Sequence, residues 1–252
     1  MSDRPPLMSI ASPYDLKSKR VLVTGASSGI GREVAKRCAA MGAVMVITGR
    51  DKSRLADTQA ALTEGDHQLI TADLTDVGSI RTFVARVGGI DGIVHCAGIH
   101  GVMPVRMVSK DFVDKVLNTN FLAPVLLTQQ FLAQKFLKDN ASVLFMASIA
   151  AHTGTVGVAT YSASKSATLG FMRPLALEVA KRGIRVNALS PGLIDTPLVN
   201  TDRVWLEEKA KPYPLGLGQP SDVANAAVFL LSDASRKITG SIFHIDGGIP
   251  FT

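Results

Sequence analysis

Seven short apolar runs alternate with helical patterns along nearly the whole chain, and this alternation limits the folds that the sequence can adopt. The runs are rich in β-branched residues and continuously apolar, and they cover residues 20–24, 44–48, 67–71, 92–95, 142–147, 185–189 and 241–245. Continuous apolar character is typical of parallel strands that are covered by helices on both faces. The sequence therefore predicts an α/β fold with a doubly wound parallel sheet of about seven strands and helices on both faces.

Helical patterns and one long irregular stretch lie between these runs. Ile30, Val34 and Cys38 recur at helical spacing after the first run, and we predict further helices over 52–61, 77–87, 109–138, 161–181 and 221–231. Residues 191–219 contain several prolines and show no regular pattern. Irregular segments of that length in a compact domain are usually functional, so we predict a substrate loop over about 191–219.

The length of 252 residues suits one large α/β domain. Residues 1–15 are polar and contain Pro5, Pro6 and Pro13, which predicts an N-terminal arm followed by a single domain over 16–252. The arm lacks the apolar core of a signal peptide, and no apolar stretch reaches the roughly 18–20 residues of a membrane span. Two cysteines do not indicate a disulfide framework, so we expect a cytoplasmic protein.

The net charge of +6 raises the question of a nucleic-acid partner. The basic residues form no long run and do not alternate with aromatic residues; the densest group comprises Arg32, Lys36, Arg37, Arg50, Lys52 and Arg54. A small polyanionic cofactor near the N-terminal third explains that group as well as DNA does, and solvated helix faces explain most of it. We therefore expect a small-molecule substrate, with neither nucleic acid nor a membrane as a partner.

A glycine-rich segment, TGASSGIG over residues 24–31, joins the first strand to the first helix. Gly25 permits a tight turn, Gly29 lets the backbone approach a pyrophosphate, and Gly31 lets the helix pack closely on the sheet. The helix N-terminus beyond them offers N–H groups and positive potential to phosphate. This arrangement predicts a Rossmann-type dinucleotide site and excludes a P-loop, because no Lys-Ser/Thr pair follows Gly31. The candidate phosphate-binding residues are Gly25, Ser27, Ser28, Gly29, Ile30 and Gly31.

The end of the second strand bears on the choice between NAD and NADP. An acid there binds the ribose 2′-hydroxyl of NAD, whereas an arginine accommodates the 2′-phosphate of NADP. Arg50 lies just past the end of the strand, which favours NADP(H) over NAD(H); Asp51 is the alternative, but it precedes a helical pattern like an N-cap. Asp73 and Leu74 follow the third strand and are candidates for contacts with the adenine, although Asp73 is equally suited to a turn or a cap.

Tyr161 and Lys165 are spaced so that both project from one face of a helix. An ammonium beside a phenol favours the phenolate, which lowers the tyrosine pKa and suits proton exchange with an alcohol oxygen. Ser148 ends a neighbouring apolar run and can hold the same oxygen by a hydrogen bond. Taken alone, the spacing is also compatible with two residues on an exposed helix face.

Together these motifs resemble those of the short-chain dehydrogenase/reductase family, from about Leu16 to the C-terminus. The glycine segment and the Ser-Tyr-Lys set match at the family's spacing. Further matches are His95-Cys96-Ala97-Gly98 for the fourth-strand motif, Asn120 for the fourth catalytic residue, Pro191-Gly192 with Thr196 for the segment that flanks the nicotinamide, and Asp246-Gly247-Gly248 for the C-terminal signature.

The resemblance implies an NAD(P)(H)-dependent oxidoreductase that interconverts a carbonyl and a secondary alcohol. In that mechanism Tyr161 is the acid in reduction and the base in oxidation, while Lys165 lowers its pKa and holds the nicotinamide ribose. Ser148 polarises the carbonyl, and Asn120 keeps a water in place for a proton relay. The resemblance also assigns cofactor contacts to Cys96, Ala97, Gly98, Tyr161, Lys165, Pro191, Gly192, Ile194 and Thr196.

His95 and Cys96 depart from the family pattern, which has two asparagines there that brace the central strand. The departure puts some bracing in doubt and leaves the chemistry intact. Cys96 is interpreted as a small buried filler, with a redox-sensitive thiol as the alternative. No metal is expected, because the histidines lack ligand spacing; they are His67, His95, His100, His152 and His244.

The candidate substrate residues are mostly apolar, which suits a ketone or an acyl carbonyl better than a free sugar; they are His100, Met103, Ala150, His152, Val156, Leu193, Leu198 and Trp205. The nearest subgroup in overall appearance is the 3-oxoacyl-carrier-protein reductases. Those enzymes grip the acidic carrier with arginines on two long helices. The equivalent positions here are Ala133 and Leu177, which weakens that assignment, and sugar-alcohol, gluconate and steroid dehydrogenases share the catalytic set.

Two other classes of function stay open. A cofactor-binding sensor would be marked by a broken catalytic set, whereas all four residues are present. An epimerase or dehydratase of the extended relatives would have a longer C-terminal substrate region. The resemblance also implies a homotetramer or homodimer formed through the two long helices; Phe171, Met172, Leu175 and Val179 are compatible with that interface, and core packing explains them equally well.

Overall fold

The computed structural model of the chain describes residues 12–197 and 203–249. Within these ranges seven strands form one parallel sheet in the order β3-β2-β1-β4-β5-β6-β7. The predicted doubly wound α/β fold is confirmed. The strands are β1 (Arg20–Thr24), β2 (Val44–Gly49), β3 (Gln68–Thr71), β4 (Ile90–His95), β5 (Leu137–Met146), β6 (Arg185–Pro191) and β7 (Ile242–Ile245).

The direction of strand order reverses at β1, which pairs with β2 on one side and with β4 on the other. Connections from the two strands leave on opposite faces of the sheet at such a point. A crevice therefore opens beyond the carboxyl ends of β1 and β4, and this is where ligands bind in open α/β sheets. Thr24 and His95, which end these strands, are in register with each other.

The helices cover both faces of the sheet and bury two separate apolar clusters. They are α1 (Gly29–Ala40), α2 (Lys52–Ala60), α3 (Val77–Val87), α4 (Lys110–Leu117), α5 (Ala123–Ala133), α6 (Ala159–Val179), α7 (Arg203–Ala210) and α8 (Pro220–Leu231). One cluster joins the sheet to α3, α5 and α6 and includes Phe131 and Met172. The other joins it to α1 and α8 and includes Val34 and Val223. The two clusters fix the sheet between the helix layers and so hold its carboxyl edge rigid.

The long helix predicted over 109–138 is wrong at two places. A π-helical turn, Asn118–Leu122, separates α4 from α5, and the helix ends at Ala133. β5 begins at Leu137 and not near residue 142, and its pairing with β4 shifts register between Ile90 and Gly92. The first half of β5 was missed because residues 138–140 are polar and exposed and give no apolar signal.

The predicted irregular stretch over 191–219 contains a helix, α7, and its first residue belongs to β6. Main-chain hydrogen bonds join its two ends: Gly218 donates to Leu193 at 3.2 Å, and Asp195 donates to Gly218 at 3.0 Å. Leu198 and the side chain of Trp205 lie outside the described residues, as does most of the predicted N-terminal arm. No helix in the described ranges is long and apolar enough to cross a membrane.

Candidate active site

A cavity of about 840 Å³ opens at the carboxyl edge of the sheet. Every residue that the sequence proposes for cofactor contact lies in its wall, together with Ser148. Segments that are far apart in sequence thus line the same cavity. The predicted residues in the wall are Gly25, Ser27, Ser28, Gly29, Ile30, Gly31, Arg50, Asp73, Leu74, Cys96, Ala97, Gly98, Ser148, Tyr161, Lys165, Pro191, Gly192, Ile194 and Thr196.

The glycine segment forms a cradle that side chains would fill. Gly25 has a φ of +64°, and a Cβ on it would lie 2.7 Å from the Cα of Ala97. A Cβ on Gly31 would lie 2.4 Å from the carbonyl oxygen of Gly25. The N-cap of α1, Ser28, makes no side-chain capping hydrogen bond, so it leaves the first N–H groups of the helix open to an anion. These features fit the pyrophosphate of a dinucleotide.

Arg50 and Asp73 border the other end of the cavity, past the ends of β2 and β3. Asp51 caps α2, since its side chain accepts from the amide of Arg54 at 3.0 Å, and it also forms an ion pair with the Arg54 guanidinium at 2.8 Å. The interpretation of Asp51 as an N-cap is confirmed. Hydrogen bonds from Thr75 lower the pKa of Asp73, and the charge of Arg50 adds to this effect.

Ser148 and Tyr161 meet where β5 ends and α6 begins. The Ser148 hydroxyl accepts from the amide of Ala150 at 3.2 Å, which orients it at the start of a short 3₁₀ turn. Burial raises the pKa of Tyr161, and a side-chain hydrogen bond with Ser148 opposes that rise. The prediction that Lys165 lowers the pKa of Tyr161 is therefore wrong for this structure, and the phenol keeps its proton at neutral pH.

Lys165 lies one turn from Tyr161 on α6 and is buried. Its ammonium donates to the carbonyl oxygen of Met146 at 2.7 Å and stands 5.7 Å from the centroid of the Tyr161 ring. Burial lowers its pKa to about 8, because the charged form loses hydration. The shared helix face predicted from the spacing is therefore correct, while the direct hydrogen-bond partner of the ammonium is the end of β5.

Asn120 lies outside the cavity wall, in the π-helical turn, and is buried. Its amide nitrogen donates to the carbonyl of Ile99 at 3.0 Å and to the Ser164 hydroxyl at 3.1 Å. Ser164 in turn donates to the main-chain carbonyl of Tyr161 at 2.7 Å. Asn120 thus links the segment after β4 to the turn of α6 that carries Tyr161 and Lys165.

His95 replaces the bracing that the departure from the family pattern put in doubt. Its Nε2 lies 2.8 Å from the Thr128 hydroxyl, which donates to the carbonyl of Pro124 at 2.8 Å. Since the hydroxyl has only one proton, His95 must donate from Nε2. The ring also stacks on Phe145, and burial lowers its pKa to about 3. The neutral His95 ring therefore connects β4 to β5 through stacking and to α5 through a hydrogen bond.

Burial also raises the pKa of Cys96 to about 12, and the charge of Lys165 only partly offsets this. A thiol with so high a pKa holds almost no thiolate at neutral pH, which favours the interpretation as a filler over the redox alternative. In the ranges that the structure describes, no group of three His, Cys, Asp or Glu side chains is arranged to hold a metal ion.

Beyond Tyr161 and Ser148 the cavity is mostly apolar. Of the predicted substrate residues, His100, Ala150, Val156 and Leu193 lie in this part of the wall, and His100 meets the Tyr161 ring edge to face at 4.9 Å. Met103 and His152 do not lie in the wall; the His152 ring contacts Ser190 and His244 instead. Wall residues that the sequence did not single out include Val102, Thr155, Lys209, Pro212 and Tyr213.

Comparisons with known proteins agree with this geometry. A sequence model of the family described as "Enoyl-(Acyl carrier protein) reductase" matches residues 25–250. The chain belongs to the short-chain dehydrogenase/reductase family, and its fold and cavity make it an NAD(P)-dependent oxidoreductase that interconverts carbonyl and alcohol groups.

Individual relatives and a solved structure are similar to this chain over almost its whole length. The 3-oxoacyl-[acyl-carrier-protein] reductase FabG of Rickettsia bellii is 33% identical over 240 residues, which cover 93% of this chain and 98% of that one. The (3R)-3-hydroxyacyl-CoA dehydrogenase of Canis lupus familiaris is 33% identical over 258 residues, covering 95% and 99%. A dehydrogenase/reductase structure from Sinorhizobium meliloti 1021 has a TM-score of 0.86 at 31% identity, covering 94% and 97%.

Proposed function

We propose that this chain is an NADP(H)-preferring carbonyl reductase in which Ser148, Tyr161, Lys165 and Asn120 organise the proton transfer. The proposal rests chiefly on one observation: Ser148, Tyr161 and Lys165 line the same cavity as the glycine segment. A nicotinamide bound there supplies hydride to a carbonyl carbon or accepts it from an alcohol. The residues of the chain have to hold the substrate oxygen and move one proton.

Tyr161 and Ser148 are suited to those two tasks. The phenol is partly buried and protonated at neutral pH, so it can give its proton to the oxygen of a carbonyl undergoing reduction. The Ser148 hydroxyl is oriented by Ala150 and can donate to the same oxygen. In oxidation the proton returns to Tyr161 along the same path.

Lys165 stabilises the phenolate that forms when Tyr161 has given up its proton. A cation held in a buried site acts strongly on a charge that develops nearby, because little water screens it. The side-chain amide of Asn120 is engaged with Ile99 and Ser164, so a relay water would be held by the main chain of its π-helical turn.

The contacts of the charged side chains that follow β2 support the preference for NADP(H). Asp51 also lies in the cavity wall, but each of its carboxylate oxygens already accepts a hydrogen bond from Arg54, which makes it a poorer partner for a ribose hydroxyl. Arg50 is exposed and lies in the cavity wall. An arginine in that position can bind a 2′-phosphate through charge-assisted hydrogen bonds.

The substrate that we propose is a carbonyl compound with an apolar chain, and 3-oxoacyl thioesters are the specific candidates. The apolar wall beyond Tyr161 and the names of the relatives support this class. Leu177 is 78% exposed and Ala133 carries no charge, so the two positions offer nothing to an acidic carrier protein. A small thioester is therefore favoured over a carrier-bound one.

A panel of carbonyl substrates tests the proposal. Ketones, 3-oxoacyl thioesters of coenzyme A and of acyl carrier protein, and polyols would each be assayed with NADPH or NADP and with NADH or NAD. We expect the highest kcat/KM for the coenzyme A thioesters with NADPH. Preference for the carrier-bound thioester, or for a polyol with NAD, would contradict the proposed substrate.

We further propose that the chain forms a homodimer or homotetramer in the cytoplasm. Met172, Leu175 and Val179 are buried within the single chain, so core packing explains them. Two exposed leucines, Leu177 on α6 and Leu122 just before α5, support an interface along these two helices. Light scattering of wild type and Leu177→Asp tests this, and an unchanged mass in the variant would contradict that interface.

A further inference from the structure

Tyr213 joins the segment after α7 to the segment after β6, and the sequence did not single it out. Its hydroxyl oxygen accepts a hydrogen bond from the amide of Leu193 at 3.2 Å. Its ring packs so closely on Gly192 that a Cβ there would lie 2.9 Å from the ring. The amide of Leu215 donates to the carbonyl of Gly247 at 3.0 Å and fixes the chain just beyond the tyrosine.

The hydroxyl proton of Tyr213 is left for another partner. A phenol can accept and donate at the same time, and the hydrogen bond from Leu193 uses only the accepting side. Within residues 12–197 and 203–249, no atom accepts the proton of this hydroxyl. Burial raises the pKa of Tyr213, so the proton is retained throughout the neutral range.

Tyr213 also lies in the wall of the cavity that contains Tyr161 and Ser148. Its neighbours in sequence or by hydrogen bond in this wall include the apolar Leu193 and Pro212, with Lys209 one turn of chain earlier. A hydroxyl donor placed beside apolar wall residues can orient a ligand and discriminate against ligands that lack the matching acceptor.

We propose that Tyr213 is a specificity-determining residue whose hydroxyl donates to a second oxygen of the substrate, beyond the carbonyl held by Ser148 and Tyr161. The substrate class is then a carbonyl compound with a further acceptor on its chain, such as a 3-oxo ester or thioester. This inference rests on the proposed function and deepens it.

The test compares two probes of equal chain length, ethyl 3-oxobutanoate and 2-heptanone, in wild type and Tyr213→Phe. The two carbonyls differ in intrinsic reactivity, so the measured quantity is the change in the ratio of their kcat/KM values between the two proteins. We expect that ratio to fall about 5-fold in the variant, the usual size for the loss of one neutral hydrogen bond. Tyr14→Phe is the matched control, since Tyr14 contacts Phe229 outside the cavity wall.

The hydrogen bond from Leu193 gives Tyr213 a structural role as well. The ratio of kcat/KM values for the two probes separates this structural role from the proposed contact with the substrate. If Tyr213→Phe lowers kcat/KM equally for both probes, the residue only positions the loop and the inference is overturned, while turnover by wild type still supports a carbonyl reductase. If wild type reduces neither probe, the proposed function itself is contradicted. The unfolding temperature and the Kd for NADPH of the variant show whether the fold and the cofactor site persist.

Discussion

The side chain of Asn120 and the main chain of Ile99 are joined in both directions: the amide nitrogen donates to the Ile99 carbonyl, and the amide oxygen accepts from the Ile99 N–H at 2.8 Å. These two hydrogen bonds resemble the pair that two residues exchange between neighbouring β-strands, except that one partner is a side chain. Together with the hydrogen bond from Asn120 to Ser164, it fixes the segment after β4, which carries Ala97 and Gly98, against the helix that carries Lys165. A Cβ on Gly98 would lie 3.2 Å from the Asn120 amide oxygen and 3.6 Å from the Lys165 ammonium.

Removing the phenolic oxygen of Tyr161 tests the acid/base assignment. We expect Tyr161→Phe to lower kcat by roughly 10²- to 10⁴-fold, because the substrate oxygen loses its proton donor. The Kd for NADPH, measured by fluorescence, should change little. Tyr14→Phe is the control, and a Tyr161→Phe variant with wild-type turnover would exclude the mechanism.

Replacing Arg50 tests the cofactor preference. We expect Arg50→Ala to raise the KM for NADPH about 10-fold or more and to leave the KM for NADH nearly unchanged, since only NADPH carries the 2′-phosphate. Arg86→Ala, on the exposed face of α3, matches the change in net charge at a site outside the cavity wall. An equal rise for both cofactors would remove the case for NADP.

A methyl group at Gly31 tests the cradle. The Cβ of Gly31→Ala would collide with the main chain of Gly25, and neither backbone can move aside without shifting α1. We expect a lower unfolding temperature and at least about a 10-fold weaker affinity for NADPH. Gly154→Ala is the control, because its Cβ meets no atom within 4 Å and the glycine is exposed. Equal behaviour of the two variants would contradict the close packing of Gly31 on Gly25.

The buried His95 predicts a loss of stability in acid. Its pKa is lowered from 6.5 to about 3 in the folded chain, so the unfolded chain takes up a proton first as the pH falls. The contribution is complete above pH 6.5 and is lost between there and pH 3, on the order of 5 kcal/mol in total. The measurement is the free energy of unfolding against pH for wild type and His95→Asn.

Other ionisable groups also make the free energy of unfolding depend on pH. The informative curve is therefore the difference in that free energy between wild type and His95→Asn. It should slope across pH 6.5 to 3 and be flat above pH 7. A flat difference throughout would mean that His95 is not held neutral in the folded chain.

The sheet and the wall of the cofactor site could be predicted because each depends on local sequence. Apolar runs specify buried parallel strands, and glycines are required where no Cβ fits, as at Gly25 and Gly31. The π-helical turn around Asn120 could not be predicted, since its residues suit an α-helix equally well. Lys165 was placed on the correct face, but its bond to Met146 depends on the docking of α6 against β5.

Tyr213 was missed for a different reason. The contacts that bring it to the cavity are hydrogen bonds with main-chain atoms of Leu193 and packing on Gly192. Main-chain groups are the same at every residue, so such contacts leave no mark on the pattern of side chains. The prediction of a substrate loop located the segment, and only the folded chain could identify the residue.

The packing of α1 against α8 has a consequence for how the chain reaches its native state. Val34 and Cys38 share one buried cluster with Val223 and Ala227, which are made almost 190 positions later during synthesis. A ribosome adding about 5–20 residues per second leaves the apolar side of α1 without its partner for roughly ten seconds or more. During that interval the face of α1 that packs on α8 stays uncovered, and refolding from denaturant should be slowed by the same long-range closure.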